Sequence, residues 1–213
     1  MRKLLVFLVA LAVLFAVGDY VARGFAQEQA ENELKTQLEL STAPDVSFDG
    51  WPFLVSAIKG EFEEIELDAA RMEVKDLEFA DVHLALDDVR FSVSDVLFGE
   101  DKAITASGGA GSVALEDRAL SAALERAGAP FSLRLREAGA VVELPSGDEV
   151  AASIDVSKRA LSIAPEGGLA AVSVTLPPIL ENVTYELAVT HDDYVTILLR
   201  LGPTTLRALQ SGN

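Results

Sequence analysis

The feature that most constrains the fold is the alternation of apolar and polar residues, which recurs in short runs from Val46 to Leu201. Successive side chains of a strand point to opposite faces of a sheet, so each run predicts a strand with one buried and one solvated face. The spacing of the runs and the polar turns between them predict roughly ten antiparallel strands, including a hairpin across His191-Asp192-Asp193. The glycine-rich stretch from Ser107 to Gly111 is expected to be a loop or a strand bend.

A sheet of this kind has to hide its apolar face. It can curl on itself or be covered by helices, and a curled sheet that helices close can enclose an apolar cavity. Periodicity leaves open whether side chains fill the interior or leave a tube.

Two segments interrupt the strand pattern with helical spacing. From Tyr20 to Leu40, apolar residues recur every three to four positions with charged residues between them, which indicates a long amphipathic helix. Leu115 to Gly128 is the second, and Gly128 and Pro130 end it. The predicted fold class is therefore α+β: a highly curved, mostly antiparallel sheet with a long N-terminal helix and one internal helix.

The segment from Asp45 to Leu67 reads as strand, break, short helix, glycine turn and strand. Gly50 breaks the first strand, Pro52 suits the start of a helix, and Gly60 ends it. Trp51 and Phe53 flank Pro52. Two interpretations of these aromatic residues stay open: they plug the end of the core, or they close or line an apolar cavity.

The parity of the apolar residues changes at Asp87-Asp88. Val82, Leu84 and Leu86 precede this point, and Val89 follows it out of step by one residue. A one-residue slip turns the side chains to the other face unless a bulge absorbs it, so we expect a break in the strand at this point.

The N-terminus predicts export. Arg2 and Lys3 precede an apolar run from Leu4 to Val17, which is shorter than the about 20 residues of a typical membrane span. Residues 1–26 are thus expected to be a signal peptide, with cleavage after Gly18 or Ala26, or an uncleaved signal anchor or transmembrane helix. Residues 27–213 would form one domain outside the cytoplasm, in the cell envelope, membrane-associated or secreted.

Composition excludes several partners. The net charge is −17, which argues against nucleic acid, since phosphate binding relies on Lys and Arg. It argues equally against electrostatic docking on anionic lipid, which needs a basic patch. Contact with lipid would have to be apolar. There is no cysteine, so disulfides, thiolate metal sites and cysteine nucleophiles are excluded.

The sequence offers no catalytic constellation. The two histidines, His83 and His191, are far apart and lack the spacing of a metal site. No Gly-x-Ser-x-Gly elbow is present, and acidic pairs such as Glu63-Glu64 lack the spacing of a calcium loop. We therefore predict a protein that is not an enzyme and has no catalytic residue, metal site or cofactor.

The segment Gly50-Trp51-Pro52-Phe53-Leu54, followed by Gly60 and an alternating strand, resembles the signature of the LmeA family of actinobacterial phospholipid-binding envelope proteins. The N-terminal helix and the valine-rich strands extend the resemblance over nearly the whole chain. It implies an envelope location, an apolar tunnel resembling tubular lipid-binding domains, binding of phospholipid acyl chains, and a link to lipid transport or glycolipid assembly.

On this basis the expected function is non-catalytic binding of phospholipid, with the N-terminal segment at the membrane. The residues predicted to line or close the cavity are apolar side chains of the strands and of the aromatic segment: Trp51, Phe53, Leu54, Ile58, Phe62, Leu84, Phe91, Val93 and Phe131. The alternative is a membrane-tethered envelope scaffold that has a filled core and binds a protein partner at an exposed sheet edge.

Overall fold

A computed structural model describes residues 2–38, 40–92, 103–136, 139–180 and 182–207. The described chain contains three helices: α1 (Arg2–Gln37), α2 (Phe53–Lys59) and α3 (Asp117–Arg126). It contains fifteen strands: β1 (Asp45–Phe48), β2 (Glu61–Ala69), β3 (Met72–Val74), β4 (Leu77–Phe79), β5 (Asp81–Phe91), β6 (Ala103–Ala106), β7 (Gly108–Glu116), β8 (Ser132–Arg136), β9 (Gly139–Glu143), β10 (Glu149–Ser157), β11 (Ala160–Pro165), β12 (Val172–Thr175), β13 (Val183–Thr190), β14 (Tyr194–Leu201) and β15 (Thr204–Arg207).

The described strands form three antiparallel sheets. The largest has eight strands in the order β1-β2-β5-β7-β14-β13, with β6 joining β5 and β15 joining β6. Five strands form the second sheet in the order β12-β11-β10-β9-β8, and β3 pairs with β4 in the third. The α+β class and the antiparallel pairing are confirmed. The expectation of one long sheet is wrong, and the described sheets form no closed barrel.

The main core gathers apolar side chains from both large sheets, from β3 and β4, and from α3. Leu120, Ala123 and Leu124 are the buried residues of α3, as its spacing predicts. Val195 and Ile197 of β14 are fully buried. Alternate residues of β14 face solvent, so the strand has the one dry and one wet face that the pattern indicates.

The hairpin of β13 and β14 matches the predicted pairing across His191 to Asp193. Thr190 pairs with Val195 and Val183 pairs with Leu201, with a bulge between Tyr185 and Leu187. Tyr185 is buried, and its hydroxyl donates a 2.6 Å hydrogen bond to the carbonyl of Pro177.

Two glycines allow β5 and β7 to approach each other. A Cβ atom on Gly109 or Gly111 would lie 2.3 Å from the carbonyl oxygen of Ala85 or His83 respectively. These positions therefore exclude any side chain, because the neighbouring atoms are backbone. The glycine-rich stretch is the start of a paired strand rather than a loop.

Asp88 marks the predicted change of parity. Its φ angle of 47° lies in the left-handed region, yet β5 runs through it to Phe91. Before this point Val82 and Leu84 belong to the main core, and beyond it Val89 belongs to a second apolar cluster. Leu86 packs against both clusters, so the distortion at Asp88 lets one strand contribute to both.

Candidate functional site

The second apolar cluster lies between α1, α2 and the adjoining strands, and its largest members are four phenylalanines. Phe53 and Phe62 are buried, and Phe48 and Phe91 pack against them. Their ring centroids lie 5.2–6.0 Å apart, a separation at which aromatic pairs attract. We call Phe48, Phe53, Phe62 and Phe91 the phenylalanine cluster.

Helix α2 forms where the sequence predicts it. It begins at Phe53 after Pro52, and Gly60, with φ of 70°, ends it in the left-handed conformation that glycine adopts without strain. No side chain of its own N-cap residue bonds the first turn. The acceptor for the free N–H groups of this turn comes instead from α1.

That acceptor is Asp19, which is only 4% exposed. The N–H of Phe53 donates to its Oδ2 at 3.0 Å and the N–H of Leu54 donates to its Oδ1 at 2.7 Å. A carboxylate at the start of a helix accepts from unpaired N–H groups and is favoured by the helix dipole. This contact joins α1 to α2 directly.

Arg23 makes the second polar contact between α1 and this region. Its Nη2 atom donates to the carbonyls of Phe48 and Gly50, the latter at 2.9 Å. Asp19 and Arg23 are one helical turn apart, so both point to the same side of α1. Ala22 and Ala26, at the same spacing, pack against the phenylalanine cluster.

The side of α1 that faces the body is therefore made of small and polar residues. The large apolar residues of the predicted amphipathic stripe are not on it: Val21 and Phe25 are exposed. Residues 11–18 are all exposed, and Asp19 is the first buried residue of the helix among those described. The N-terminal part of α1 thus projects beyond the body of the molecule.

Exposed apolar residues also occur on α2 and, at Trp51, just before it, close to the backbone groups that Asp19 contacts. Trp51 is 78% exposed and Ile58 76% exposed, and Val55 is exposed between them. Phe15 precedes Asp19 by one helical turn, and Leu11 precedes it by two, which is about 12 Å. We call the exposed apolar residues of α1 from Leu11 to Phe25, of α2 and of the loop before α2 the apolar end: Leu11, Val13, Leu14, Phe15, Val17, Tyr20, Val21, Phe25, Trp51, Val55 and Ile58.

The structure brings together only part of the predicted lipid-binding set. Phe53, Phe62 and Phe91 meet in the phenylalanine cluster. Leu54 is half-buried on α2, and Trp51 and Ile58 belong to the apolar end. Leu84 and Phe131 lie in the main core. Val93 lies outside the described residues.

Trp51 does not plug the core, since most of its surface is in solvent. The idea that it closes or lines a cavity stays a prediction. Sequence reasoning missed Asp19 and Arg23 altogether. The available signal was two charged residues four positions apart, directly after the apolar run from Leu4 to Val17.

Two cavities formed by described residues have linings that include no residue of the apolar end. The larger, about 630 Å³, is an open groove beside Asp81, Glu116, Arg118, Asp193 and Tyr194. The smaller, about 320 Å³, is lined mainly by charged residues of β3, β4 and α3. None of the predicted lipid-binding residues lines either cavity.

His83 forms a pair with the carboxylate of Asp68. Nδ1 of His83 lies 2.7 Å from Oδ1 of Asp68. This hydrogen bond, with the nearby charges of Glu66 and Asp81, raises the pKa of His83, and partial burial opposes the rise. No group of three or more potential metal ligands is found in the described part of the chain.

Within the described residues, no helix carries an apolar stretch long enough to cross a membrane.

A family model described as LmeA-like phospholipid-binding matches residues 17–209, nearly the whole chain. The match begins two residues before Asp19, so it includes the contact between α1 and α2. Searches of curated proteins and of solved structures found no match.

Proposed function

The chain belongs to the LmeA-like phospholipid-binding family, and on that premise we propose that it is a non-catalytic phospholipid-binding protein of the cell envelope that receives acyl chains at the apolar end. The observation that carries the location of binding is the exposure of Trp51, Val55 and Ile58 next to the contact that joins α2 to α1. Exposed apolar surface that forms a continuous region is typical of lipid and protein interaction sites.

The energetics favour an apolar contact. Complete burial of one large apolar side chain contributes about 1.5–3 kcal/mol, and each CH₂ of an acyl chain contributes about 0.8 kcal/mol. Partial burial of several side chains of the apolar end against acyl chains would offset the free-energy cost of association. No basic surface is required, which agrees with the net charge of −17.

The phenylalanine cluster supports the same location. Phe53 of α2 is buried in this cluster. Ile58 of α2 and Trp51, which precedes α2, are exposed to solvent. Acyl chains on the outer surface of α2 would therefore extend an apolar region that already exists beneath it. A role in lipid transport or in envelope glycolipid assembly would use the same surface, with the N-terminal segment at the membrane.

The first test replaces two residues of the apolar end, Trp51→Ser with Ile58→Ser, and measures co-sedimentation with phosphatidylcholine vesicles. We expect affinity to fall by at least about tenfold, since about 1.4 kcal/mol corresponds to a factor of ten and two large contacts are lost. The side chains are exposed, so the free energy of unfolding should change little.

A matched control replaces Leu187 and Leu198 with serine. These residues pair across β13 and β14 and are also exposed and apolar, but they lie on the sheet rather than on α1 or α2. Vesicle binding by this control should equal that of the unmodified chain. Equal loss in both double variants would mean that general surface hydrophobicity, and not the apolar end, determines binding.

A further inference from the structure

The hydrogen bonds that hold Arg23 in place use its Nη2 atom and leave its Nε atom without a partner in the described chain. A guanidinium has five N–H donors, and Nη2 donates to the carbonyls of Phe48 and Gly50. The Nε atom is buried and has no hydrogen-bond partner among the described residues. An unsatisfied donor of this kind is costly in a folded protein, so its retention calls for a reason.

The positive charge of Arg23 is also unpaired within the described chain. The chain has 34 acidic and 17 basic residues, and other arginines use this excess: Arg200 pairs with Glu186 at 2.7 Å and Arg134 pairs with Glu143 at 2.9 Å. No described carboxylate forms an ion pair with Arg23. The carboxylate of Asp19, one turn away, accepts instead from the N–H groups of Phe53 and Leu54.

Arg23 is next to the loop that carries Trp51. It contacts the carbonyl of Gly50, the residue before Trp51, and so borders the apolar end. In a phospholipid the phosphate is joined through glycerol to the acyl chains. Chains that lie against Trp51 and Ile58 would therefore place the phosphate at the polar border of this surface, within reach of α1.

We propose that Arg23 binds the phosphate group of a phospholipid whose acyl chains lie on the apolar end. Guanidinium groups match the geometry of phosphate oxygens, and the two carbonyl contacts fix the side chain in advance, which reduces the entropy lost on binding. The proposal rests on the proposed function and adds to it the group that distinguishes a phospholipid from an uncharged lipid.

The test compares two lipids with identical chains, dioleoylphosphatidylcholine and dioleoylglycerol, each presented in the same neutral detergent micelles. The unmodified protein should bind the phospholipid about tenfold more tightly, the effect of a hydrogen bond to a charged group. Arg23→Gln should lose this preference and bind dioleoylglycerol as the unmodified protein does. Arg200→Gln, at an exposed arginine away from the apolar end, should keep the preference.

Three results would overturn the proposal. If Arg23→Gln weakens both lipids equally, Arg23 only positions α1. If the unmodified protein binds both lipids alike, the phosphate is not recognised. If it binds neither, the proposed function fails as well. Should Arg23→Gln not fold, Arg23→Met removes the charge and the donors but keeps an unbranched side chain, and a preference that stays at its full value in that variant would also contradict the proposal.

Discussion

Asp19 has two roles at the scale of single residues: it is a buried carboxylate at the end of the apolar run of α1, and it caps a second helix. Two N–H groups at 2.7 and 3.0 Å compensate its burial, as buried charges require. Its spacing from Arg23 could be read from the sequence. Its partners could not, because the groups it binds are more than 30 positions away and are backbone atoms that have no sequence signature.

The burial of Tyr185 leads to a prediction about alkaline pH. Burial raises the pKa of its hydroxyl to about 12 from the ordinary value of 10.0. A raised pKa means that the folded state favours the neutral form, so this contribution to stability is complete below pH 10 and is lost as the pH rises from 10 towards 12. In urea unfolding, the difference in free energy of unfolding between the unmodified chain and Tyr185→Phe should therefore shrink across that window.

At neutral pH Tyr185→Phe should lower the free energy of unfolding by about 1–2 kcal/mol, because the buried carbonyl of Pro177 loses its donor. The replacement has no ionisable group, so it removes the alkaline dependence that belongs to this residue. A difference between the two proteins that stays constant from pH 8 to pH 11.5 would contradict this account.

Trp51 shows where residue-level prediction from sequence ends. The aromatic segment and its break were evident from the sequence, and Phe53 and Phe62 are buried. Trp51 precedes the first residue of α2, where neither a helical nor a strand period applies, so its exposure depends on the direction of the loop and not on a repeat.

At the scale of elements, α1 is bound to the body by small residues and by the hydrogen bonds of Asp19, Arg23 and Glu31. The contacts made by Asp19 and Arg23 would be removed by cleavage after Ala26 and kept, from Asp19 onward, by cleavage after Gly18. We predict that residues 19–26 remain in the protein in the cell envelope. Intact-mass measurement of the protein extracted from cells tests this, and a mature chain that starts at Gln27 would contradict it.

The cost of losing this segment can be measured on two truncated chains. A chain that starts at Gln27 lacks the acceptor for the N–H groups of Phe53 and Leu54 and uncovers the phenylalanine cluster. It should be less stable than a chain that starts at Asp19 by at least about 2 kcal/mol in urea unfolding. Equal stability would show that the contact between α1 and α2 contributes nothing.

The elements themselves were largely predictable, and their pairing was not. Alternation located β13 and β14 and the turn between them, because a hairpin needs only local signals. The division into three sheets depends on contacts far apart in the chain, such as the approach of β5 to Gly109 and Gly111 of β7. A glycine-rich stretch has the same composition in a loop and in a closely paired strand, so the sequence could not separate them.

At the scale of the whole molecule, the apolar residues fall into a filled main core and an exposed apolar end. Residues such as Phe79, Leu115, Leu120 and Ile163 in the main core have no exposed surface, and the two described cavities are bordered by charged side chains. Periodicity alone allowed either a filled interior or a tube. The volumes of the paired side chains decide between them, and these become known only when the sheets are in place.

The two functions that the sequence left open would use different surfaces of the molecule. A scaffold would use an exposed sheet edge and would not need a projecting apolar helix. Lipid binding at the apolar end uses surface that α1 and α2 expose together, and it leaves the main core unchanged.

The most direct measurement uses Trp51, the single tryptophan of the chain, as a reporter in the unmodified protein. Its exposure predicts solvent-like emission without lipid. On addition of phosphatidylcholine vesicles, the emission should shift to shorter wavelength, and phosphatidylcholine brominated on its acyl chains should quench it. If the protein co-sediments with the vesicles while the Trp51 emission keeps its wavelength and is not quenched, acyl chains do not reach the apolar end and the central claim is wrong.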